Sequence, residues 1–164
     1  MAKRLAVNVA SEIGELEGVI LHTPGTEVEN MTPKNAERAL YSDILNLSVA
    51  SREYSQFKEV LSRLTKTFEV RDLLADILSN DKIKENLLEK ICRFESRGDV
   101  FNHLLNISPQ EASRQLIQGV IEEKNTLTKY LNRERYSLRP LHNFFFTRDA
   151  AMSVLDDVLV GMMA

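Results

Sequence analysis

The feature that most limits the fold is a long block, Leu74–Leu138, nearly free of glycine and proline and set between two ends of strand character. Within it Ile83, Leu87, Leu88, Ile91 and Phe94 recur at helical spacing. "GDVFNHLLNI" reads as a further short helix, with Asp99 as its cap. "SPQEASRQLIQGVIEE" carries the best-defined start in the chain. Ser108 stands at the N-cap, Pro109 at the first helical position and Glu111 three residues after the cap, a capping box that satisfies exposed backbone N–H groups at both partners. Leu116, Ile117 and Val120 are then expected to face inward. The block predicts a helical subdomain over 74–138, inserted into an α/β part made of 1–73 and 139–164.

The flanking segments read differently. "RLAVNV" (Arg4–Val9) suits a short strand, and "GVILHT" (Gly18–Thr23) is β-branched and apolar until Pro24-Gly25 stops it. The "ASEIGELE" between them allows a hairpin or another tight connection. Thr26–Asn35 is loop-like, and Thr32 before Pro33 predicts a helix start. A clear helix spans about Ser48 to Lys66, with Val49, Tyr54, Phe57, Val60, Leu61 and Leu64 as its expected packing face. "TFEVRDL" (Thr67–Leu73) returns to strand character, so strand, loop, helix and strand follow one another as in a βαβ unit. The tail from Pro140 is β again, with two strands turning at Asp156-Asp157. Its last apolar run, "VLVGMMA", has the look of a strand edge that needs a neighbour.

Composition narrows the function classes. A chain of 164 residues, 43% hydrophobic and 27% charged, can bury a real core. A net charge of −3, with the basic residues scattered, gives no electrostatic footprint for nucleic acid. No stretch approaches the ~20 apolar residues of a membrane span. "MAKRLAVNVASE" is too short and polar for a secretory signal, and a single cysteine, Cys92, excludes a disulfide framework. A cytoplasmic protein with no membrane or nucleic-acid partner is expected. The six glycines are dispersed, so no phosphate loop forms, and no cofactor is expected. His22, His103 and His142 are far apart in sequence and show no metal spacing. His103 falls in a helical pattern, as a packing or surface residue. Cys92 sits in the apolar part of a helix and reads as a small hydrophobe, not a nucleophile.

One stretch stands out chemically: "PLHNFFFTRDAAM", Pro140–Met152, where three phenylalanines run into Thr-Arg-Asp. Asp149 there is either a solvated charge at the end of a buried strand or a carboxylate placed beside an aromatic wall to hold a planar cation. A guanidinium suits the second role, because it donates two parallel hydrogen bonds to one carboxylate and stacks on rings.

Three segments together, "SEIGELEGVILHTPG", "MTPKNAERALYSDIL" and "PLHNFFFTRDAAMSVLDDVLVGMM", resemble the N-terminal part of an arginine deiminase. The helical block between them resembles the insert that separates this family from shorter guanidine-modifying relatives, so the likeness spans essentially the whole chain. The most specific piece is "FTRD" with Asn143 three before Phe146. The resemblance implies an α/β (α+β) chain forming part of a fan, or propeller, of ββαβ modules. It implies hydrolysis of L-arginine to L-citrulline and ammonia through a covalent cysteine intermediate, with a histidine moving protons. It makes Asp149 a catalytic carboxylate gripping the guanidinium, Asn143 and Phe146 lining residues of the substrate pocket, and Leu40 part of a loop closing over the substrate. An amidinotransferase, a methylarginine hydrolase or a non-catalytic interaction module are the alternatives.

Two departures from the family pattern are visible. Ser42-Asp43 stands where paired acids are usual, and "VGMM" where an Asn-Pro-Met type sequence is common. The family's nucleophile, its acid/base histidine and its second guanidinium carboxylate have no counterpart here. The chain is therefore expected to be an N-terminal fragment, inactive alone and prone to self-association through its strand edges.

Overall fold

The structure is a computed structural model, and it describes residues 6–29, 45–122, 135–144 and 146–161. Strand β1 (Gly18–Leu21) pairs in parallel with β2 (Lys66–Glu69), in a register running from Gly18 opposite Lys66 to Leu21 opposite Glu69. Parallel neighbours need a crossover. Here it consists of a single helical turn, α1 (Thr26–Glu29), residues 30–44, and the long helix α2 (Leu47–Leu64). The expected helix start at Thr32–Pro33 lies outside the described residues. At α2 the Asn46 side chain caps the first turn, its Oδ1 accepting from the N–H groups of Ser48 at 3.0 Å and Val49 at 3.3 Å.

The face that α2 turns inward matches the expected one only at Tyr54 and Leu61. Leu47, Ala50, Ser51, Tyr54, Lys58 and Leu61 form its half-buried stripe, while Phe57 is 51% and Leu64 72% exposed. Two polar contacts lie on this face. The Tyr54 hydroxyl accepts from the His22 backbone N–H at 3.0 Å, and Lys58 Nζ meets Glu69 Oε1 at 2.6 Å. These contacts complete a backbone group at the end of β1 and a carboxylate at the end of β2, while Val49, Phe57, Val60 and Leu64 stay exposed.

The chain passes from β2 straight into α3 (Val70–Leu78), so the strand expected to reach Leu73 stops at Glu69. Leu74, Ala75 and Leu78 explain the switch: on a helix all three reach the core, and Ala75 and Leu78 are buried. Helix α4 (Asp81–Phe94) follows, capped by Asn80, whose side chain accepts from the Ile83 N–H at 3.3 Å. A 3-10 turn (Gly98–Val100), α5 (Phe101–Asn106) and α6 (Pro109–Gln118) complete the helical part. Leu78, Leu88, Cys92, Val100, Leu104, Ala112 and Leu116 form one buried cluster, closed by Leu138. Asp99 does not cap α5 as expected; it sits in the 3-10 turn, where Arg97 holds it at 2.7 Å. Only the Ser108 half of the capping box forms. Ser108 Oγ accepts from the Glu111 N–H at 3.2 Å, but the Glu111 carboxylate turns to Arg114 and Gln115, which lie one turn further along the helix.

A buried charge closes the C-terminal end of α5. Lys84, 5% exposed, donates from Nζ to the carbonyls of Leu105 at 2.8 Å and Ile107 at 2.6 Å. Carbonyls at a helix end lack intrahelical partners and carry partial negative charge, so an ammonium is well placed there. Helix α6 ends at Gly119, whose φ of +84° and near contacts both demand glycine: an added Cβ would lie 2.8 Å from the Leu138 carbonyl. Beyond it, β3 (Val120–Ile121) pairs antiparallel with β4 (Tyr136–Leu138). This short ladder falls inside the stretch expected to be helical, because Val120 and Leu138 pack onto the helical core from a paired backbone.

The last element is a hairpin of β5 (Ala151–Val154) and β6 (Asp157–Val160). It turns at Leu155-Asp156, with Leu155 at a φ of 54°, so Asp157 belongs to the strand and not to the expected turn. The expected strand Arg4–Val9 reduces, in its described part, to one antiparallel bridge between Val9 and Leu155, with both N–H···O distances at 2.8 Å. The result is a mixed helix–strand chain. Its described strands form three two-stranded sheets, with no closed barrel among the described residues.

The difference between the helical core and the open face of α2 is measurable. Leu88→Ala and Leu104→Ala, at fully buried positions, are expected to cost about 2–5 kcal/mol in urea unfolding. Phe57→Ala is expected to stay within about 0.5 kcal/mol of the parent chain.

Candidate functional site

Pro140–Ala150 is not the strand its apolar residues suggest. The Phe144 N–H donates to the Leu141 carbonyl at 3.1 Å, Phe146 N–H to Asn143 at 3.0 Å, and Asp149 N–H to Phe146 at 3.2 Å. Each of these bonds closes a single turn that brings residues three apart close together. One such bond joins Asn143 to Phe146 and the next joins Phe146 to Asp149, so the three residues are the corners of two successive turns. A regular strand would send Phe146 to the opposite face. Asn143 is half-buried, Phe146 is 46% exposed, and the Asp149 carboxylate is open to solvent. Neighbouring Arg148 does not neutralise Asp149; its guanidinium pairs instead with Glu12, at 3.0 Å. Leu40 and Phe145 lie outside the described residues.

The loop is docked on β1 and the corner that follows it. The Leu141 N–H donates to the Ile117 carbonyl at 2.9 Å, at the end of α6. His142 Nδ1 donates to the Glu27 carbonyl at 2.5 Å. The Phe144 ring meets the His22 ring edge-on, with centroids 5.2 Å apart. Thr147 Oγ1 donates to the Ile20 carbonyl at 3.3 Å. Sequence reading passes over His22, Glu27 and His142 because they are separated along the chain. The signal is the Pro24-Gly25 turn, which folds the chain back so that Glu27 faces His22.

Glu27, 1% exposed, is the centre of this corner. Its Oε1 accepts from His22 Nε2 at 3.0 Å and from the Gly25 N–H at 2.7 Å. A carboxylate can only accept, so His22 carries a proton on Nε2. Burial by itself would push the Glu27 carboxyl up; the His22 ring and the N–H groups of Gly25 and of Glu27 itself outweigh it and hold the group below its ordinary value. Gly25 is required by this packing, since an added Cβ would stand 2.6 Å from Glu27 Oε2 and 2.7 Å from Gln118 Nε2. A second carboxylate, Glu69, ties the end of β2 to the end of β1. It accepts from the Thr23 N–H at 3.0 Å and Thr23 Oγ1 at 2.7 Å. Burial opposes its charge too, but Lys58 and Thr23 bring it below its ordinary value.

The other candidate groups stand apart from this corner. Cys92 is 5% exposed within the helical core, and burial, aided by Asp99, pushes its thiol up. It packs as a small hydrophobe, as its position in the helix implies. His103 lies on the surface, with Nε2 2.8 Å from Gln115 Oε1. Among the described residues no three His, Cys, Asp or Glu side chains gather as a metal set.

The depressed carboxyls of Glu27 and Glu69 make stability depend on acid. A group held below its unfolded value stabilises the fold above that value, and the contribution is lost as pH falls through the folded one. Stability is therefore expected to decline as pH drops below about 4.5, the ordinary value for both groups. Glu27→Gln is expected to lower stability by about 1–3 kcal/mol at neutral pH and to flatten its acid limb, as followed by urea unfolding across pH.

Comparison with known proteins supplies the family. The family model described as "ADI: Arginine deiminase" matches residues 37–164. An arginine deiminase of Bacillus cereus is 33% identical over 172 aligned residues, covering 96% of this chain and 42% of the relative. Those of Borrelia recurrentis and Pediococcus pentosaceus are 35% and 31% identical, with the same coverage. The chain thus spans less than half the length of these curated relatives. A family match that begins before the α2 helix and runs to Ala164, taking in the whole of the Asn143–Asp149 loop, shows that this chain belongs to the arginine deiminase family.

Proposed function

We propose that this chain is the N-terminal part of an enzyme that hydrolyses L-arginine to L-citrulline and ammonia. Asp149 grips the guanidinium nitrogens, Asn143 and Phe146 line the pocket, and Leu40 closes over the substrate. The observation that supports this reading is the pair of successive turns, closed from Asn143 to Phe146 and from Phe146 to Asp149, which keeps the three residues close together while Asp149 stays exposed. An exposed carboxylate beside a half-exposed phenylalanine suits a planar cation that can be gripped in its plane and stacked on its face.

In this reading the reaction runs through a cysteine thiolate. The thiolate attacks the guanidinium carbon, a C–N bond breaks and ammonia leaves with a proton delivered by a histidine. Water then adds to the same carbon, the C–S bond breaks, and citrulline and the thiolate are released. Asp149 contributes placement and charge complementarity to the guanidinium, not bond-making. Cys92 is unsuited to the nucleophile's role, being buried with its thiol pushed up. The nucleophile, the histidine and a second carboxylate are assigned to a part of the enzyme beyond these residues. β1, α2 and β2 supply one parallel crossover of a larger fan of ββαβ modules, into which the helical block is inserted. The enzyme is read as cytoplasmic; among the described residues no helix is long and apolar enough to cross a membrane. The open β5–β6 hairpin, with Leu159 56% and Val160 78% exposed, is the surface through which the chain alone self-associates.

L-Arginine titrated into the 164-residue chain is expected to shift the Phe146 and Asp149 amides in NMR spectra, and Asp149→Ala to abolish the shifts. The chain alone is expected to form no citrulline. In the longer enzyme Asp149→Ala is expected to lower kcat/KM at least about a hundredfold while leaving the unfolding curve unchanged. An active, folded Asp149→Ala enzyme would remove Asp149 from the site.

A further inference from the structure

We propose that His142 is a positioning residue that fixes the Asn143–Asp149 turns through its hydrogen bond to the main chain of Glu27. The inference deepens the proposed function and rests on its reading of those turns as the substrate loop.

The loop has little regular structure to hold it. The described part from Pro140 to Ala150 lies in no strand, and its main-chain bonds include the single turns at Phe144, Phe146 and Asp149. Isolated turn bonds of this kind open easily unless tertiary contacts keep them closed. His142 directly precedes Asn143, and its Nδ1 reaches the Glu27 carbonyl at 2.5 Å. A carbonyl only accepts, so the His142 proton at this contact lies on Nδ1.

The acceptor is unusually well fixed. Glu27 is buried, and its own carboxylate is tied to His22 and to the Gly25 N–H. His22 in turn presents its ring edge to Phe144, on the far side of Asn143 from His142. One buried glutamate therefore serves both neighbours of Asn143: His142 through its main chain, and Phe144 through the ring its side chain orients. The contacts at Leu141, Thr147 and Arg148 dock the ends of the loop, whereas the Glu27 corner acts at the residue where the first substrate turn begins.

The test compares His142→Ala with His142→Asn in the 164-residue chain. An asparagine amide nitrogen lies as many bonds from the backbone as histidine Nδ1, so it can keep the bond without the ring. Amide hydrogen exchange at Phe144, Phe146 and Asp149 is expected to quicken about tenfold in His142→Ala and to return towards the parent rate in His142→Asn. Amides of α4 and α6 should be unchanged in both. Nitrogen-15 spectra of the parent imidazole should show the proton on Nδ1.

Unchanged exchange in His142→Ala, equal acceleration in the two variants, loosening of α4 and α6 together with the loop, or an Nδ1 without a proton would each overturn the proposal. Arginine-induced shifts form a separate arm. If the parent chain shows none, the substrate reading fails, while the exchange pattern still decides whether His142 positions the turns.

Discussion

The arrangement around the Asn143–Asp149 loop depends on one buried carboxylate. Glu27 would be costly to bury as a bare charge, and it is kept there by directed donors from His22 and Gly25. Because those donors come from the end of β1 and from the turn after it, satisfying the carboxylate fixes the shape of the corner. The corner then offers fixed partners to a distant segment: the Glu27 carbonyl to His142, and the His22 ring to Phe144. A loop with little secondary structure of its own thereby gains a defined seat.

The same economy of polar contacts shapes the rest of the chain. Tyr54 and Lys58, on the inward side of α2, each complete a group at a strand end. Lys84 gives up solvent to close the end of α5. Ser113, fully buried, donates to the Arg71 carbonyl at 2.7 Å and so pins α6 to the start of α3. In each case a polar atom at least partly removed from solvent finds a specific partner that ties two elements together. The helical block is consequently a well-packed unit, while α2 and the β5–β6 hairpin keep apolar surface open.

Much of the architecture is legible in the residues. Ser108-Pro109 starts α6, Pro24-Gly25 ends β1, and the spacing of Leu87, Leu88 and Ile91 marks α4. The errors have a common origin. Val49, Phe57, Val60 and Leu64 look like a packing face, yet hydrophobic spacing cannot register that a tyrosine hydroxyl and a lysine will be claimed by strand ends. Asp99 looks like a cap, yet Arg97 lies two residues away and takes its charge. The strand character of Val70–Leu73 gives way to α3 because tertiary burial of Ala75 and Leu78 overrides local preference.

The Asn143–Asp149 loop shows the division most clearly. By itself the sequence determined that Asn143, Phe146 and Asp149 are spaced by three, and that this spacing cannot serve one site on a regular strand. Periodicity, turn residues and charge are local properties, and they carry that far. Only the tertiary structure decided that the loop winds into linked turns and rests on Glu27. The physical reason is that the seat is assembled from residues more than a hundred positions apart in the chain: the His142 bond to Glu27 spans 115 residues and the Thr147 bond to Ile20 spans 127. Such pairings exist only once the chain has folded, and no local pattern announces them.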